Sequence, residues 1–180
     1  CPEINVTLVD KDTTKIDSWN SSDLSKLPIY EPGLKEVVER NRDINLYFSK
    51  DIQKYIEDAD MIFISVNTPI KMTGIGAGET SDLRWVESCA RQINEIAIGH
   101  TIVVEKSTLP VKTAQTIKDI LLTSSSCTND NKLRSFSVLS NPEFLAEGTA
   151  IKDLEEPDRV LIGGEDKEAM EALEKIYLKW

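Results

Sequence analysis

Short aliphatic and β-branched runs alternate along the chain with stretches of helical spacing. Residues 4–9 predict a strand. Residues 12–19 predict a short helix that Asp12 or Thr13 caps with a side-chain oxygen. Residues 28–33, with Pro28, Pro32 and Gly33, form a turn-rich connection into a helix with Leu34, Val37 and Val38 on one face. Ile44, Leu46 and Phe48 alternate with Asn45 and Tyr47, as in a strand near a sheet edge, and residues 51–58 return to helical spacing. Residues 61–66 are an apolar run of the kind a central parallel strand carries when both its faces are buried. Asp82 can cap a helix whose stripe is Leu83, Val86, Cys89, Ala90, Ile93, Ile96 and Ala97, ending near Gly99. Strands follow at 101–104, 136–139 and 159–162. Pro110 opens a helix through Ala114, Ile117 and Leu121, and Gly163-Gly164 turns into a last helix with Ala169, Leu173, Ile176, Tyr177 and Trp180.

Strand–helix alternation at this spacing predicts an α/β fold of βαβ units on a parallel sheet with right-handed crossovers. The doubly wound, Rossmann-like sheet is the natural candidate. No internal repeat or interdomain linker is visible, and the polar stretch 123–132 reads as a surface loop.

Composition narrows the classes. The 180 residues carry 21 Lys+Arg against 31 Asp+Glu, a net charge of −10, with 40% hydrophobic residues. That is globular composition, with enough chain for a core without disulfide or metal. The acidic balance argues against a general nucleic-acid partner. It leaves anionic small ligands open, because backbone N–H groups and helix starts hold those locally. Cys1, Cys89 and Cys127 form no C-x-x-C pair, and with the single His100 they assemble no zinc spacing, so no metal site is expected. Sparse, odd thiols suit a reducing compartment, the cytoplasm. The apolar runs fall far short of the ~20 residues a membrane span needs.

Candidate chemistry gathers where strands end. Asp10 follows the first strand, where an acidic residue in a nicotinamide-binding unit accepts hydrogen bonds from the adenosine ribose; an acid shaping a helix-opening turn is the alternative. The glycine-rich phosphate turn belongs about 20 residues upstream, where nine residues stand. Gly74, Gly76 and Gly78 lack its pattern and read as a loop. Val66-Asn67-Thr68-Pro69 ends one strand and Ser107-Thr108 follows another, each placed to meet a ligand or to cap a helix. In Ser140-Asn-Pro-Glu143-Phe-Leu-Ala-Glu147-Gly148, the two carboxylates share a face if the segment is helical. Glu143, partly desolvated beside Phe144, could then act as a general base; on spacing alone, a capping box with a solvated face explains the pair. His100 reads as a surface residue, Cys89 as core packing and Cys127 as an oxidation-prone loop thiol.

These segments resemble the UDP-glucose 6-dehydrogenases, the animal-type enzymes more than the bacterial ones. The runs that carry the likeness are Leu27-Pro-Ile-Tyr-Glu-Pro-Gly-Leu34, Phe63-Ile-Ser-Val-Asn-Thr-Pro69, Glu105-Lys-Ser-Thr108, Ser140-Asn-Pro-Glu-Phe-Leu-Ala-Glu-Gly-Thr-Ala150 and Pro157-Asp-Arg-Val-Leu-Ile-Gly-Gly164. Dehydrogenases of GDP-mannose and UDP-N-acetylmannosamine share the architecture. The resemblance implies four-electron oxidation of UDP-glucose to UDP-glucuronate with two NAD and one water, in a dimer-based homo-oligomer, with neither nucleic acid nor membrane as partner. It implies that Asp10 and Lys15 meet the adenosine end of NAD. Val66, Asn67, Thr68, Pro69, Ile70 and Ser107 would line the cofactor site. Thr108 would contact NAD and hold a catalytic water, and Glu143 would be the acid/base for thioester hydrolysis. Glu143, Phe144, Leu145, Ala146 and Glu147 would contact substrate, with Glu147 toward the nicotinamide. It further implies that residues 1–180 are an incomplete NAD-binding domain lacking its first βα unit, with the family's nucleophilic cysteine matched by neither Cys89 nor Cys127. A non-catalytic splice form or structural fragment is the rival reading.

Overall fold

The computed structural model describes residues 3–69, 72, 82–107, 113–123 and 134–179. The chain divides into two compact units. One comprises Cys1–Tyr55, Phe144–Arg159 and Lys179–Trp180, the other Ile56–Glu143 and Val160–Leu178.

The first unit opens with β1 (Val6–Val9) and α1 (Thr13–Trp19), then a 3-10 turn (Leu24–Lys26), α2 (Leu34–Asn41) and β2 (Leu46–Ser49). Helix α3 (Ile52–Glu57) carries the chain toward the second unit, and α6 (Ala150–Glu155) belongs to the first. Strands β1 and β2 pair in parallel, from Val6↔Leu46 to Val9↔Ser49. As its sequence predicts, α1 is capped by Asp12, whose carboxylate accepts from the Thr14 and Lys15 amides. The helix buries Ile16 and Trp19 against Val38 and Phe48, and Trp19 stacks on Phe48 with centroids 4.9 Å apart. Gly33 starts α2 at φ 84°, with Ile151 Cγ2 3.4 Å from where a Cβ would stand, so a side chain there would be both strained and crowded.

The second unit contains β3 (Met61–Ile64), α4 (Arg84–Ile96), β4 (Gly99–Glu105), α5 (Thr113–Thr123), β5 (Arg134–Ser140), β6 (Gly163–Gly164) and α7 (Lys167–Tyr177). The sheet order is β3-β4-β5-β6, with the first three strands parallel and β6 antiparallel to β5. Val104, Leu139, Ala169 and Leu173 form a core under α7. Helix α4 buries Val86, Ala90 and Ile93, and its Asn94 amide donates to the Ile120 and Leu121 carbonyls of α5. A parallel pair in one unit and, in the other, a parallel triplet with an antiparallel edge strand give an α/β architecture built mainly of parallel strands.

Three expectations change. Strand β3 is bordered by β4 alone among the described residues, so Phe63 is 43% exposed instead of buried on both faces. Residues 159–162 do not form a strand; pairing with β5 begins at Gly163 and Gly164. At Gly164 a Cβ would stand 2.5 Å from Leu139 Cδ2, so the buried Leu139 side chain would have to shift to admit one. Gly99, at φ 75°, begins β4, while α4 already ends at Ile96, with Ala97 as its cap. Pro110, Cys127, Trp180 and the Gly74–Gly78 triplet lie outside the described residues. Among the described residues, no helix is long and apolar enough to cross a membrane, and no group of three His, Cys, Asp or Glu could hold a metal ion.

Candidate cofactor and substrate site

In the first unit, Asp10 stands immediately past the carboxyl end of β1. Its Oδ1 accepts the Asp12 amide at 2.9 Å, which turns the chain into α1. Its Oδ2 lies 3.8 Å from Lys15 Nζ, and a third of the carboxylate is exposed. One oxygen therefore builds the turn while the other faces Lys15.

Residues 144–149 of the same unit are not helical; α6 starts at Ala150. The shared helical face expected for Glu143 and Glu147 therefore does not form. Other partners take up the backbone. Glu31 accepts the Gly148 amide at 3.0 Å through one carboxylate oxygen and the Ala150 amide at 2.8 Å through the other. Gly148 sits at φ 88°, where a helix cannot continue. Asp153 accepts the Ala146 amide at 3.1 Å and the Thr149 hydroxyl at 2.8 Å, and these bonds hold its carboxyl below the ordinary range. Phe144 is 53% exposed with the Arg159 guanidinium 5.0 Å from its ring centre; Leu145, Ala146 and Glu147 are exposed as well.

In the second unit, Ser107 Oγ donates to the Val66 carbonyl at 3.0 Å, tying the end of β4 to the segment after β3. Val66 and Thr68 are half-buried, Asn67 and Pro69 exposed, and the Pro69 carbonyl accepts the Asp82 amide at 2.7 Å. Ile70 and Thr108 lie outside the described residues. Glu143 is exposed, so the desolvation expected beside Phe144 is not present.

Two features of this strand end have no signal in local sequence. On one face Glu105, 4% exposed, accepts the Ser140 hydroxyl at 3.2 Å through Oε2, while Oε1 is buried with no partner among the described residues. On the other, Lys106, Asn141 and Tyr177 form a closed polar cluster. Burial pushes the Glu105 carboxyl above its ordinary value of 4.5, with the Ser140 hydroxyl pulling the other way. The folded protein therefore keeps that proton to higher pH than the unfolded chain does. The resulting stability is complete below about pH 4.5 and is lost as pH rises through the folded value. Glu105→Gln should remove this dependence: relative to the unsubstituted protein, the variant gains stability between pH 5 and 8. Urea unfolding across that range tests it, and a pH-independent difference would count against it.

With this geometry in place, the comparisons become informative. Residues 2–180 match the UDP-glucose/GDP-mannose dehydrogenase family, NAD binding domain. The chain belongs to that family. It is 54% identical over its whole length to a UDP-glucose 6-dehydrogenase of Drosophila melanogaster and 52% to UDP-glucose 6-dehydrogenase 5 of Oryza sativa subsp. japonica, spanning 37% and 36% of them. Among solved structures, GDP-mannose dehydrogenase from Pseudomonas aeruginosa superposes with a TM-score of 0.82 at 33% identity, over 98% of this chain and 39% of that one. A UDP-glucose dehydrogenase from Pyrobaculum islandicum gives 0.80 at 30%, over 97% and 38%.

The residues fit the family's cofactor. In the first unit the Asp10 carboxylate, and in the second the segments after β3 and β4, each stand at carboxyl strand ends, where α/β folds hold ligands. The sequence-predicted positions Asp10, Val66, Asn67, Thr68, Pro69, Ser107 and Glu143 all fall at such ends. Glu31, Glu105, Lys106, Asn141 and Tyr177 shape these segments without any local pattern that marks them as site residues. Glu31 sits 117 residues from the amide it holds, and no local pattern announces such a bond.

Proposed function

We propose that this chain is the NAD-binding part of a UDP-glucose 6-dehydrogenase. The overall conversion is UDP-glucose, two NAD⁺ and water to UDP-glucuronate, two NADH and three protons. The observation that carries this reading is the 54% and 52% identity to UDP-glucose 6-dehydrogenases over the entire chain.

NAD supplies the hydride acceptor in both oxidations. Asp10 accepts the adenosine ribose hydroxyls, and its charge opposes the extra phosphate of NADP. Lys15 stands beside it at the adenosine end. Val66, Asn67, Thr68, Pro69, Ile70, Ser107 and Thr108 border the cofactor, with Thr108 also holding the attacking water. Glu143 takes a proton from that water as it adds to a thioester on a cysteine outside residues 1–180. The C–S bond breaks, and the products are the carboxylate and the free thiol. Phe144, Leu145, Ala146 and Glu147 line the substrate, and Glu147 reaches toward the nicotinamide. The whole enzyme works as a cytoplasmic homo-oligomer.

Thermal-shift titration of the full-length enzyme with NAD, NADP and UDP-glucose tests the reading: NAD and UDP-glucose should raise Tm saturably, and an enzyme stabilised by neither would refute it. Asp10→Asn keeps the acceptor for the Asp12 amide but drops the charge. It should weaken NAD about tenfold and narrow the preference over NADP, because charged hydrogen bonds contribute more than neutral ones.

A further inference from the structure

Asn141 is 1% exposed, and its side chain is engaged on both sides. Its Nδ2 donates to the Leu161 carbonyl at 2.8 Å. Its Oδ1 accepts Tyr177 OH at 2.6 Å and Lys106 Nζ at 3.2 Å. Lys106 Nζ also donates to Tyr177 OH at 2.9 Å, which closes a three-membered ring of hydrogen bonds. An ammonium can only donate, so the amide is oriented without ambiguity: its oxygen faces Lys106 and its nitrogen faces Leu161. The Asn141 amide donates to the Glu105 carbonyl at 2.9 Å and the Lys106 amide to the Ile64 carbonyl at 3.1 Å, so the backbone ladder runs on past the strands. Four separate parts of the second unit, the ends of β4, β5 and α7 and the segment before β6, thus converge on one side chain.

What this clasp holds is the approach to Glu143. Between Asn141 and Glu143 stands Pro142, whose ring fixes its own φ and restricts the residue before it. An asparagine locked at both ends, followed by a proline, leaves few soft torsions before the glutamate. Glu143 is exposed, so its own packing does little to aim it.

We infer that Lys106 and Tyr177 are positioning residues that act through Asn141 to aim Glu143. This inference rests on the role proposed for Glu143. Neither residue touches the reacting atoms; their effect is on the water-attack step that Glu143 serves. Tyr177 joins the core beneath α7 through its ring, so Tyr177→Phe removes the hydroxyl and keeps the packing.

The test is a double-mutant cycle in the full-length enzyme, with Tyr177→Phe made alone and on Glu143→Gln. Alone, it should lower kcat about tenfold, leave KM for NAD within twofold and accumulate thioester by intact mass, since misplacing a catalytic group by a fraction of an ångström is costly. On Glu143→Gln it should change kcat by less than twofold, because there is no base left to aim. Lys106→Met should behave like Tyr177→Phe, and Lys106→Arg should recover part of the loss. Equal losses in both backgrounds, or no loss in the first, would overturn the inference while leaving the Glu143 role intact. A Glu143→Gln enzyme with undiminished kcat would overturn that role, and the inference with it.

Discussion

Glu143→Gln in the full-length enzyme is expected to lower kcat about a hundredfold or more and to trap a covalent thioester detectable by intact mass. Glutamine has nearly the same shape as glutamate and keeps an acceptor oxygen, so hydrogen bonds to substrate change little. It cannot take a proton from water at neutral pH. In the proposed reaction the hydride transfers precede the step that needs this base, so they should continue until the cysteine is acylated, and steady turnover should then wait on slow hydrolysis. A burst of NADH followed by a slow phase is the kinetic form of the result. Glu143 is exposed, so the substitution should move Tm little, which separates a chemical effect from unfolding. An unchanged kcat would remove Glu143 from the role given to it.

Leu173→Ala should destabilise the protein by about 2–5 kcal/mol, read as a shift of the denaturation midpoint. Leu173 is completely buried on the inner face of α7, among Val104, Leu139 and Ala169. Truncation loses the transfer free energy of the removed carbons and leaves a cavity, and β4 and β5, hydrogen-bonded along seven residues each, have little freedom to collapse into it. Leu178, five residues further and 75% exposed, is the control: Leu178→Ala should stay within about 0.5 kcal/mol. Similar losses at both positions would mean that the core beneath α7 is not the anchor described.

The parts of this fold that could be read in the sequence are those decided locally. Asp12 caps α1 because an acid before a helical run satisfies free amides wherever it occurs. The α4 stripe follows from helical period alone. Residues 159–162 misled because their apolar run looks like a strand, yet Val160 and Leu161 are 40% and 53% exposed and Asn141 holds the Leu161 carbonyl. The pairing that does form, Gly163 and Gly164 against β5, joins segments distant in sequence. The site was legible as positions and opaque as geometry. Asp10, Ser107 and Glu143 stand past strand ends because α/β topology puts them there. The helix expected over Glu143 and Glu147 is overruled by Glu31, and Lys106 meets Tyr177 across 71 residues; neither partnership has a periodicity to betray it.

The first unit is discontinuous in sequence, and that sets an order of events during synthesis. Glu31 emerges from the ribosome long before Gly148 and Ala150, the amides it will hold 117 and 119 residues later. At ordinary elongation rates the wait is roughly 6–23 s. Closing so long a loop in an unstructured chain costs on the order of 4 kcal/mol of entropy. The larger segment of the second unit, Ile56–Glu143, lies within that loop, so its folding shortens the path and lowers the cost. Strands β1 and β2 are thus synthesised before residues 144–159, which complete their unit.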